Sequence, residues 1–379
     1  MSPDDVAQPD ARVLPDLASR ALGGSVIDAN DEFFADRENL ITPEPPTFRP
    51  HTFGRKGQIM DGWETRRRRE PGSDYAIVRL GCPGLIRRIL VDTSFFTGNY
   101  PSEVSIDACG VEGYPAPAAL GSAEWTPIVA RRAIGGDALN EFEVTASERF
   151  THVRLTIYPD GGIARLRVYG EIVPDPRLLP ATFDLASIEA GAWITGCSNG
   201  FYSAPSNLIM PGIARSMGDG WETSRRRDDA NDWVEVHLAC AARIELAELD
   251  TSCFIGNAPG WAGLSAGADG VLLARTALTP DTRHRFPLSH DTSVEQVRMD
   301  IYPDGGMSRL RLYGTPDGSA RAALAQRFVA SLPESHLVDV LVAAGVPRDE
   351  APRLAGTRPV TVAELPEPVQ NRLAGIRGA

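Results

Sequence analysis

The chain has 379 residues, of which 42% are hydrophobic, and it carries a formal net charge of −12. This length supports two or three domains that each bury a core of their own. The acidic balance argues against nucleic acid as a general partner, because phosphate binding depends on a basic surface. The five cysteines have no CxxC spacing, so neither a disulfide framework nor a zinc site is predicted.

The sequence begins MSPDD, without the basic and apolar regions of a signal peptide. No apolar run approaches the roughly 20 residues that a membrane span requires. These features and the unpaired cysteines predict a cytoplasmic protein that contacts no membrane. Residues 1–23 are polar and rich in Pro and Asp, with one short helical stretch at 14–22, and are predicted to form an N-terminal arm.

Three motifs occur twice along the chain, in the same order. DGWETRRRR at 61–69 returns as DGWETSRRR at 219–227, DTSFFTGN at 92–99 returns as DTSCFIGN at 250–257, and YPDGGIARLRVYG at 158–170 returns as YPDGGMSRLRLYG at 302–314. The first two pairs share one spacing, whereas the third pair is 14 residues closer together. Copies of this length exceed the units of solenoid proteins and predict duplicated domains.

The motifs and the Pro-rich stretches between them give the domain boundaries. The first repeat is predicted at 24–172 and the second at 189–316, joined by a Pro-rich linker at 173–188. After residue 316 the composition changes, and 317–379 is predicted to be a helical C-terminal tail. Helices are expected at 322–332, at 335–344 with Ser335 as the N-cap, and after Pro368.

Apolar residues alternate within each repeat. Ala76, Val78 and Leu80 fall on one side of their segment, and their counterparts at 234, 236 and 238 do the same. This period of two is typical of half-buried strands. Several short strands separated by Gly and Pro turns predict an all-β fold, with a jelly-roll β-sandwich in each repeat.

The run that follows each motif Trp concentrates one carboxyl group and several guanidinium groups. Arg can hold a carboxylate through two parallel hydrogen bonds, and Glu can accept hydrogen bonds from an amide or ureido NH₂ group. The alternative is a structural ion-pair network between the repeats, because neighbouring unpaired arginines repel one another. Position 66 is Arg whereas its partner 224 is Ser, which makes Arg66 the weakest candidate for a role that both repeats share.

Two further motifs supply candidate residues beside structural alternatives. Asp92 and Asn99 lie in a loop after an apolar strand, where polar side chains can converge on a ligand. The alternative for Asp92 is a turn that satisfies its own backbone. The Pro-Asp-Gly-Gly turn and its Arg-Leu-Arg strand are consistent with a purely structural hairpin. The secondary candidates there are Asp160, Arg165, Asp304 and Arg309.

Several site types have no signal in the sequence. The six histidines lie outside the repeated motifs and have no metal-ligand spacing, so no metal site is predicted. GxSxG, P-loop and dinucleotide-binding motifs are also absent. No cofactor is predicted, although carboxylate ligands of a divalent metal leave little trace in a sequence and that alternative stays open.

The three repeated motifs together resemble the allantoicase family, over nearly all of the chain from Gly23 to Gly314. The resemblance implies two repeats of the galactose-binding, discoidin-like jelly-roll type. It also implies hydrolysis of allantoate to ureidoglycolate and urea in purine (allantoin) degradation, and a homo-oligomer. The tail lies outside the resemblance.

Allantoate is a carboxylate with two ureido groups on one carbon, so its site needs a cationic clamp and several hydrogen-bond acceptors. We expect general acid/base catalysis by a carboxyl group, with Arg holding the substrate carboxylate. The expected catalytic residues are Glu64, Asp92, Glu222 and Asp250. The expected substrate-binding residues are Arg67, Arg68, Asn99, Arg165, Arg225, Arg226, Asn257 and Arg309. The alternative function is a tandem carbohydrate-binding module without catalysis.

Overall fold

The computed structural model describes residues 14–267, 270–289 and 291–376. The chain divides into two compact units. The first-repeat unit consists of Leu14–Pro174 and Gln326–Gln370, and the second-repeat unit contains Asp175–Ala325 and residues 371–376.

The first repeat is built almost entirely of strands. Its elements are β1 (Ser25–Ala29), β2 (Phe53–Gly54), β3 (Gly57–Gln58), β4 (Trp63–Glu64), β5 (Asp74–Asp92), β6 (Glu103–Cys109), α1 (Pro117–Leu120), β7 (Thr126–Ala133), β8 (Leu139–Glu143), β9 (Arg149–Tyr158), β10 (Gly162–Ile163) and β11 (Arg165–Ile172). Short 3₁₀ helices cover Arg20–Leu22 and Arg37–Ile41. The Pro-rich segment after Ile41 contains the two-residue hairpin β2–β3.

The strand β5, 19 residues long, organises the first repeat. Its N-terminal part pairs antiparallel with β1 and β9, and its C-terminal part pairs with β11 and β8. One strand thus joins two sets of neighbours, as the jelly roll requires. Glycine permits the close approach of β5 to β11, because a Cβ on Gly84 would lie 2.0 Å from the carbonyl oxygen of Glu171.

The alternating apolar residues form the core, as the sequence predicts. Ala76 and Val78 of β5 are fully buried, and so are Val153, Leu155 and Ile157 of β9. Each large aliphatic side chain removed from water contributes about 1.5–3 kcal/mol to folding. The core therefore fixes the register of strands whose ends carry the polar motifs.

The second repeat has the same plan. Its strands are β12 (Phe183–Asp184), β13 (Trp193–Cys197), β14 (Trp221–Glu222), β15 (Asp232–Asp250), β16 (Trp261–Ser265), β17 (Val271–Ala277), β18 (Arg283–Pro287), β19 (Val294–Tyr302), β20 (Gly306–Met307) and β21 (Arg309–Pro316). Its 3₁₀ helices are Pro176–Leu178, Ile188–Ala190, Pro205–Ile209 and Met217–Asp219. The long strand β15 pairs with β13 and β19 and then with β21 and β18. Two tandem jelly rolls are thereby confirmed.

Each repeat also includes a segment that precedes its predicted start. The sequence DLAS occurs at 16–19 and again at 184–187. Leu17 donates its backbone N–H to Val168 at 2.7 Å, and Leu185 donates to Leu312 at 2.8 Å. Both leucines are fully buried. These residues pack as equivalent parts of the two sandwiches.

The C-terminal tail is helical, as predicted. It contains α2 (Gly318–Ser331), α3 (Glu334–Ala343), α4 (Ala351–Gly356), the 3₁₀ helix Val362–Glu364 and α5 (Glu367–Leu373). The prediction of Ser335 as an N-cap is wrong, since Pro333 occupies that position and Ser335 lies in the first turn. No helix in the described parts of the chain is long and apolar enough to span a membrane.

The helix α3 packs within the first-repeat unit. Leu337 and Leu341 are almost fully buried. His336 Nε2 lies 3.3 Å from a carboxylate oxygen of Glu112, which also pairs with the buried Arg149 at 2.5 Å. The apolar face of this helix is therefore covered inside its own unit.

Candidate active site

In the first repeat, the three repeated motifs meet at β4. Trp63 is fully buried and donates its indole N–H to the backbone oxygen of Asp31 at 2.8 Å, which anchors the strand. Glu64 follows at the half-buried position and pairs with Gly162 of β10. The Trp motif is therefore held against the Pro-Asp-Gly-Gly turn.

The same turn holds the loop of the DTSFFTGN motif. Gly162 donates its backbone N–H to the carbonyl oxygen of Asn99 at 2.7 Å. Gly161 has φ +141°, and a Cβ there would lie 2.7 Å from that oxygen. A Cβ on Gly162 would lie 1.9 Å from the ring of Phe96. Only glycines permit this approach, which brings Asn99 to Glu64.

Glu64 and Asn99 form the centre of the site. The side-chain amide of Asn99 donates to Glu64 Oε1 at 2.7 Å. Burial raises the pKa of Glu64 above its ordinary value, and the hydrogen bond from Asn99 opposes that rise. A carboxyl group tuned in this way can hold a proton closer to neutral pH and act as a general acid.

The second repeat reproduces this centre. Asn257 donates its side-chain amide to Glu222 Oε1 at 2.6 Å and accepts the backbone N–H of Gly306 at 2.8 Å. Trp221 is fully buried and donates to the backbone oxygen of Asn199 at 2.7 Å. We refer to the two arrangements as the Glu–Asn centres.

The arginine run divides between structural and exposed side chains. Arg66 pairs with Asp31 at 2.6 Å, and Arg68 pairs at 2.6 Å with Asp74, whose carboxylate is buried. Arg226 likewise pairs at 2.7 Å with the buried Asp232. Some of these arginines are therefore structural, but these ion pairs lie within one repeat and not between the repeats. Arg68 and Arg226, predicted as substrate ligands, here hold buried carboxylates of the fold.

Arg67 and Arg225 differ from these neighbours. Both side chains are exposed, and each arginine lies three residues after the last residue of β4 or β14. Neither forms a hydrogen bond or ion pair within the described parts of the chain. A guanidinium with unused donors, three residues from the site glutamate, can bind the carboxylate of a ligand. Of the predicted ligands in the two arginine runs, Arg67 and Arg225 therefore stay the candidates for binding a carboxylate.

Arg165 and Arg309, also predicted as substrate ligands, bind the backbone. Arg165 is 1% exposed and donates to the carbonyl oxygens of Glu44, Asp61 and Ala164. Arg309 donates in the same way to Gly212, Asp219 and Ser308. The structural hairpin that the sequence offered as an alternative matches these contacts.

Asp92 and Asp250, predicted as catalytic residues, cap turns. Asp92 is 6% exposed, and its Oδ1 accepts the backbone N–H of Ser94 at 2.7 Å. Asp250 accepts that of Ser252 at 2.8 Å. Each carboxylate shapes the start of the loop that carries Asn99 or Asn257, and neither bonds to the glutamate of its centre.

Two aromatic pairs beside the Glu–Asn centres were not predicted as site residues. Phe34 donates its backbone N–H to Glu64 O at 3.1 Å, and Tyr202 donates to Glu222 O at 3.2 Å. Phe33 packs edge-on against Phe34, as Phe201 does against Tyr202, and all four rings are at least 40% exposed. The aromatic pair itself recurs in the sequence, within DEFF at 31–34 and NGFY at 199–202, and this weak repeat was the signal that could have identified it.

The sequence left two alternatives, a divalent metal and a carbohydrate-binding module, and the structure has observations on both. Among the described residues, no group of three or more His, Cys, Asp or Glu side chains is arranged to hold a metal ion. The repeated tryptophans Trp63 and Trp221 are fully buried, so neither offers the exposed aromatic platform on which a sugar ring stacks.

Comparisons with known proteins identify the family of the chain. The family model described as allantoicase repeat matches residues 15–173 and 183–317. A probable allantoicase of Nocardia farcinica is 56% identical over 323 residues, which cover 83% of this chain and 98% of the relative. A probable allantoicase of Streptomyces coelicolor is 51% identical, with 81% and 87% covered. The crystal structure of allantoicase from Saccharomyces cerevisiae matches with a TM-score of 0.71 at 35% identity, covering 80% of this chain and 93% of that one. The chain belongs to the allantoicase family.

Proposed function

We propose that this protein hydrolyses allantoate to ureidoglycolate and urea, at the Glu–Asn centre of each repeat. Membership of the allantoicase family supports the reaction. The observation that carries the site is the repeated hydrogen bond from Asn99 to Glu64 and from Asn257 to Glu222, with an exposed arginine three residues after each glutamate in the chain. The carbohydrate-binding alternative is not favoured by these relatives.

The reaction needs no nucleophilic side chain. The carbon of allantoate that carries both ureido groups can expel one of them as urea when that group is protonated, because the nitrogen of the other donates its electron pair. The protonated Glu64 supplies the proton as the C–N bond breaks. Water then adds to the resulting C=N carbon and gives its proton to the Glu64 carboxylate, which restores the acid.

The remaining groups bind and orient the substrate. Arg67 holds the substrate carboxylate, and Arg225 does so in the second repeat. The amide of Asn99 holds the side chain of Glu64 in one rotamer, so the protonated carboxyl group presents its proton in one direction. The main-chain oxygen of Glu64 is already bonded to Phe34, which keeps the strand rigid under the site.

Urea release by single and double glutamate variants tests this proposal. We expect Glu64→Gln and Glu222→Gln each to remove about half of the activity, and the double variant to lose at least 100-fold. Glu70→Gln alters an exposed carboxyl group near the first centre and should leave the rate unchanged. Full activity in the double variant would remove both glutamates from the mechanism. The assay run with a chelator also tests the divalent-metal alternative.

The cellular location and assembly are also proposed here. None of the five cysteines forms a disulfide bond, which suits a reducing compartment such as the cytoplasm. A homo-oligomer rests on the family resemblance. Cell fractionation and sedimentation of the purified protein test these two proposals separately.

A further inference from the structure

The second repeat contains a cleft of about 340 Å³. Its lining includes Asp250, Arg309 and Arg311 on the strand ends and Glu189, Glu248 and Arg283 around them. Glu222, Asn257 and Arg225 do not line it. The cleft is therefore a place other than the Glu–Asn centre of the same repeat.

Two charges of the cleft replace apolar residues of the first repeat. Glu248 pairs across the sheet with Arg311, where the first repeat pairs Leu90 with Arg167. Arg283 pairs across the sheet with Asp250, where the first repeat pairs Leu139 with Asp92.

A third charge lies after the DLAS segment, where Glu189 occupies the position of Ala21. Three charged residues of the cleft thus stand where the first repeat has apolar residues, beside the Asp and Arg residues that both repeats share.

The charges fix each other in position. Glu248 is 2% exposed and accepts hydrogen bonds from Arg283 at 2.7 Å and from Arg285 at 2.9 Å. Arg283 keeps a side chain that is 44% exposed. A buried carboxylate that holds a partly exposed guanidinium in one orientation prepares it for an anionic ligand at low entropic cost.

Arg309 keeps one donor group unused that the equivalent residue of the first repeat, Arg165, uses in an ion pair. In the first repeat, Arg165 Nη2 pairs with Asp61 Oδ1 at 2.8 Å. Arg309 donates through Nε and Nη1 to backbone oxygens, and its Nη2 forms no hydrogen bond to any described residue. Above it, Gly212 replaces Glu44, and no atom lies within 4 Å of the position of a Cβ there. Arg309 is 5% exposed and reaches the cleft as part of its lining.

Glu189 supplies an unused acceptor at the same cleft. Its side chain is exposed and forms no hydrogen bond or ion pair with the described residues. Asp250 is 1% exposed and lines the cleft, and its Oδ2 lies 3.9 Å from Arg283 Nε, beyond hydrogen-bond distance. The cleft thus offers two guanidinium groups for an anion and two carboxylates for N–H groups.

We propose that this cleft is a second ligand site, which binds a small carboxylate bearing a ureido group. Arg283 and Arg309 hold the carboxylate of the ligand, and Glu189 and Asp250 accept its N–H groups. The volume is at the lower end of small-molecule sites, which fits a ligand of this size. The choice of a ureido ligand rests on the proposed function, whereas the site itself does not.

Hydantoate is the probe for this site. It has one ureido group and one carboxylate, and it lacks the second nitrogen that would expel urea, so it persists during a titration. By calorimetry, we expect the full-length protein to bind it at the cleft and at the Glu–Asn centres. Arg283→Leu, which restores the first-repeat residue, should lose one binding equivalent or weaken it at least tenfold. Arg243→Leu, at an exposed arginine of the same repeat outside the cleft, is the matched control.

The double variant Arg67→Ala with Arg225→Ala separates the two kinds of site. We expect it to lose urea release and to keep the hydantoate equivalent that Arg283→Leu removes. Unchanged hydantoate binding in both Arg283→Leu and Glu189→Ala would overturn the second site. Tighter binding of guanidinoacetate than of hydantoate would overturn the ureido class. Loss of urea release in Arg283→Leu alone would make the cleft catalytic and overturn both the separate site and the Glu–Asn assignment.

Discussion

The side chain of Asn99 bonds to that of Glu64 at 2.7 Å, although 35 residues separate them in the chain. The whole of β5 lies between these two residues. Asn257 and Glu222 repeat the contact at 2.6 Å and at the same sequence separation. The duplicated fold has therefore produced the same contact between an asparagine and a glutamate twice.

We expect Asn99→Leu to shift the pH dependence of catalysis in a Glu222→Gln background, which leaves only the first centre. The amide stabilises the ionised form of Glu64, so its removal raises the pKa of Glu64 further. Activity that requires the protonated acid then extends to higher pH, because the acid keeps its proton longer as the pH rises. The pH profile of kcat/KM measures this shift.

Asn99→Gln is the control for that experiment, because it keeps an amide donor and should recover part of the original profile. A lower rate without any displacement of the alkaline limb would contradict the role of Asn99 as a partner of the acid.

Substitutions of the adjacent Arg67 and Arg68 should affect different properties, substrate binding for Arg67 and stability for Arg68. Arg67→Ala removes an exposed guanidinium without a partner among the described residues, so KM should rise about tenfold or more while stability is kept. Arg68→Ala leaves the buried carboxylate of Asp74 without its ion pair and should cost about 3 kcal/mol. Kinetics and guanidinium chloride denaturation of both variants distinguish these effects. Equal loss of stability in both would show that Arg67 also serves the fold.

Gly162→Ala should destabilise the first centre. Its Cβ would lie 1.9 Å from the ring of Phe96, so the turn or the ring must move, at a cost of about 1–3 kcal/mol. The displaced turn would also release the backbone bond to Asn99. Gly98→Ala lies in the same loop, where no atom is within 4 Å of the new Cβ, and should be tolerated. Thermal unfolding and urea release compare the two, and equal midpoints would contradict this packing argument.

The sequence predicts the sandwiches because the core residues alternate locally. Ala76 and Val78 show which face of β5 is buried without knowledge of any partner strand. The Glu–Asn bond is different, because it depends on how β10 and the Asn99 loop pack after folding. Repetition of three motifs indicated that their residues belong together but not which side chains touch.

The predicted substrate-binding arginines show the same limit. Arg67 and Arg68 are identical and adjacent, and their contacts differ because the buried Asp74 lies within reach of Arg68. The cleft of the second repeat escaped the sequence analysis for the opposite reason. Glu248 and Arg283 occur in one repeat only, so a search for shared motifs passes over them.

The stability of the first-repeat unit should fall as the pH falls below about 6.5. His152 is 1% exposed, and burial together with the charge of Arg79 lowers its pKa to about 4, with Glu112 opposing the shift. Below its ordinary pKa, the unfolded chain binds a proton at His152 that the folded chain does not. The free energy of unfolding therefore decreases, by about 2 kcal/mol between pH 6.5 and 5. Denaturation midpoints across this range measure the slope.

His152→Gln should flatten that slope, whatever its effect at neutral pH, because Gln has no titrating proton. The comparison is made above pH 5, where the Glu112 carboxylate, with a pKa of about 2 in the folded state, stays ionised. His51→Gln alters an exposed histidine of the same unit and serves as the control. If wild type and His152→Gln lose stability in parallel as the pH falls, the burial of a neutral His152 is not the cause of the acid sensitivity.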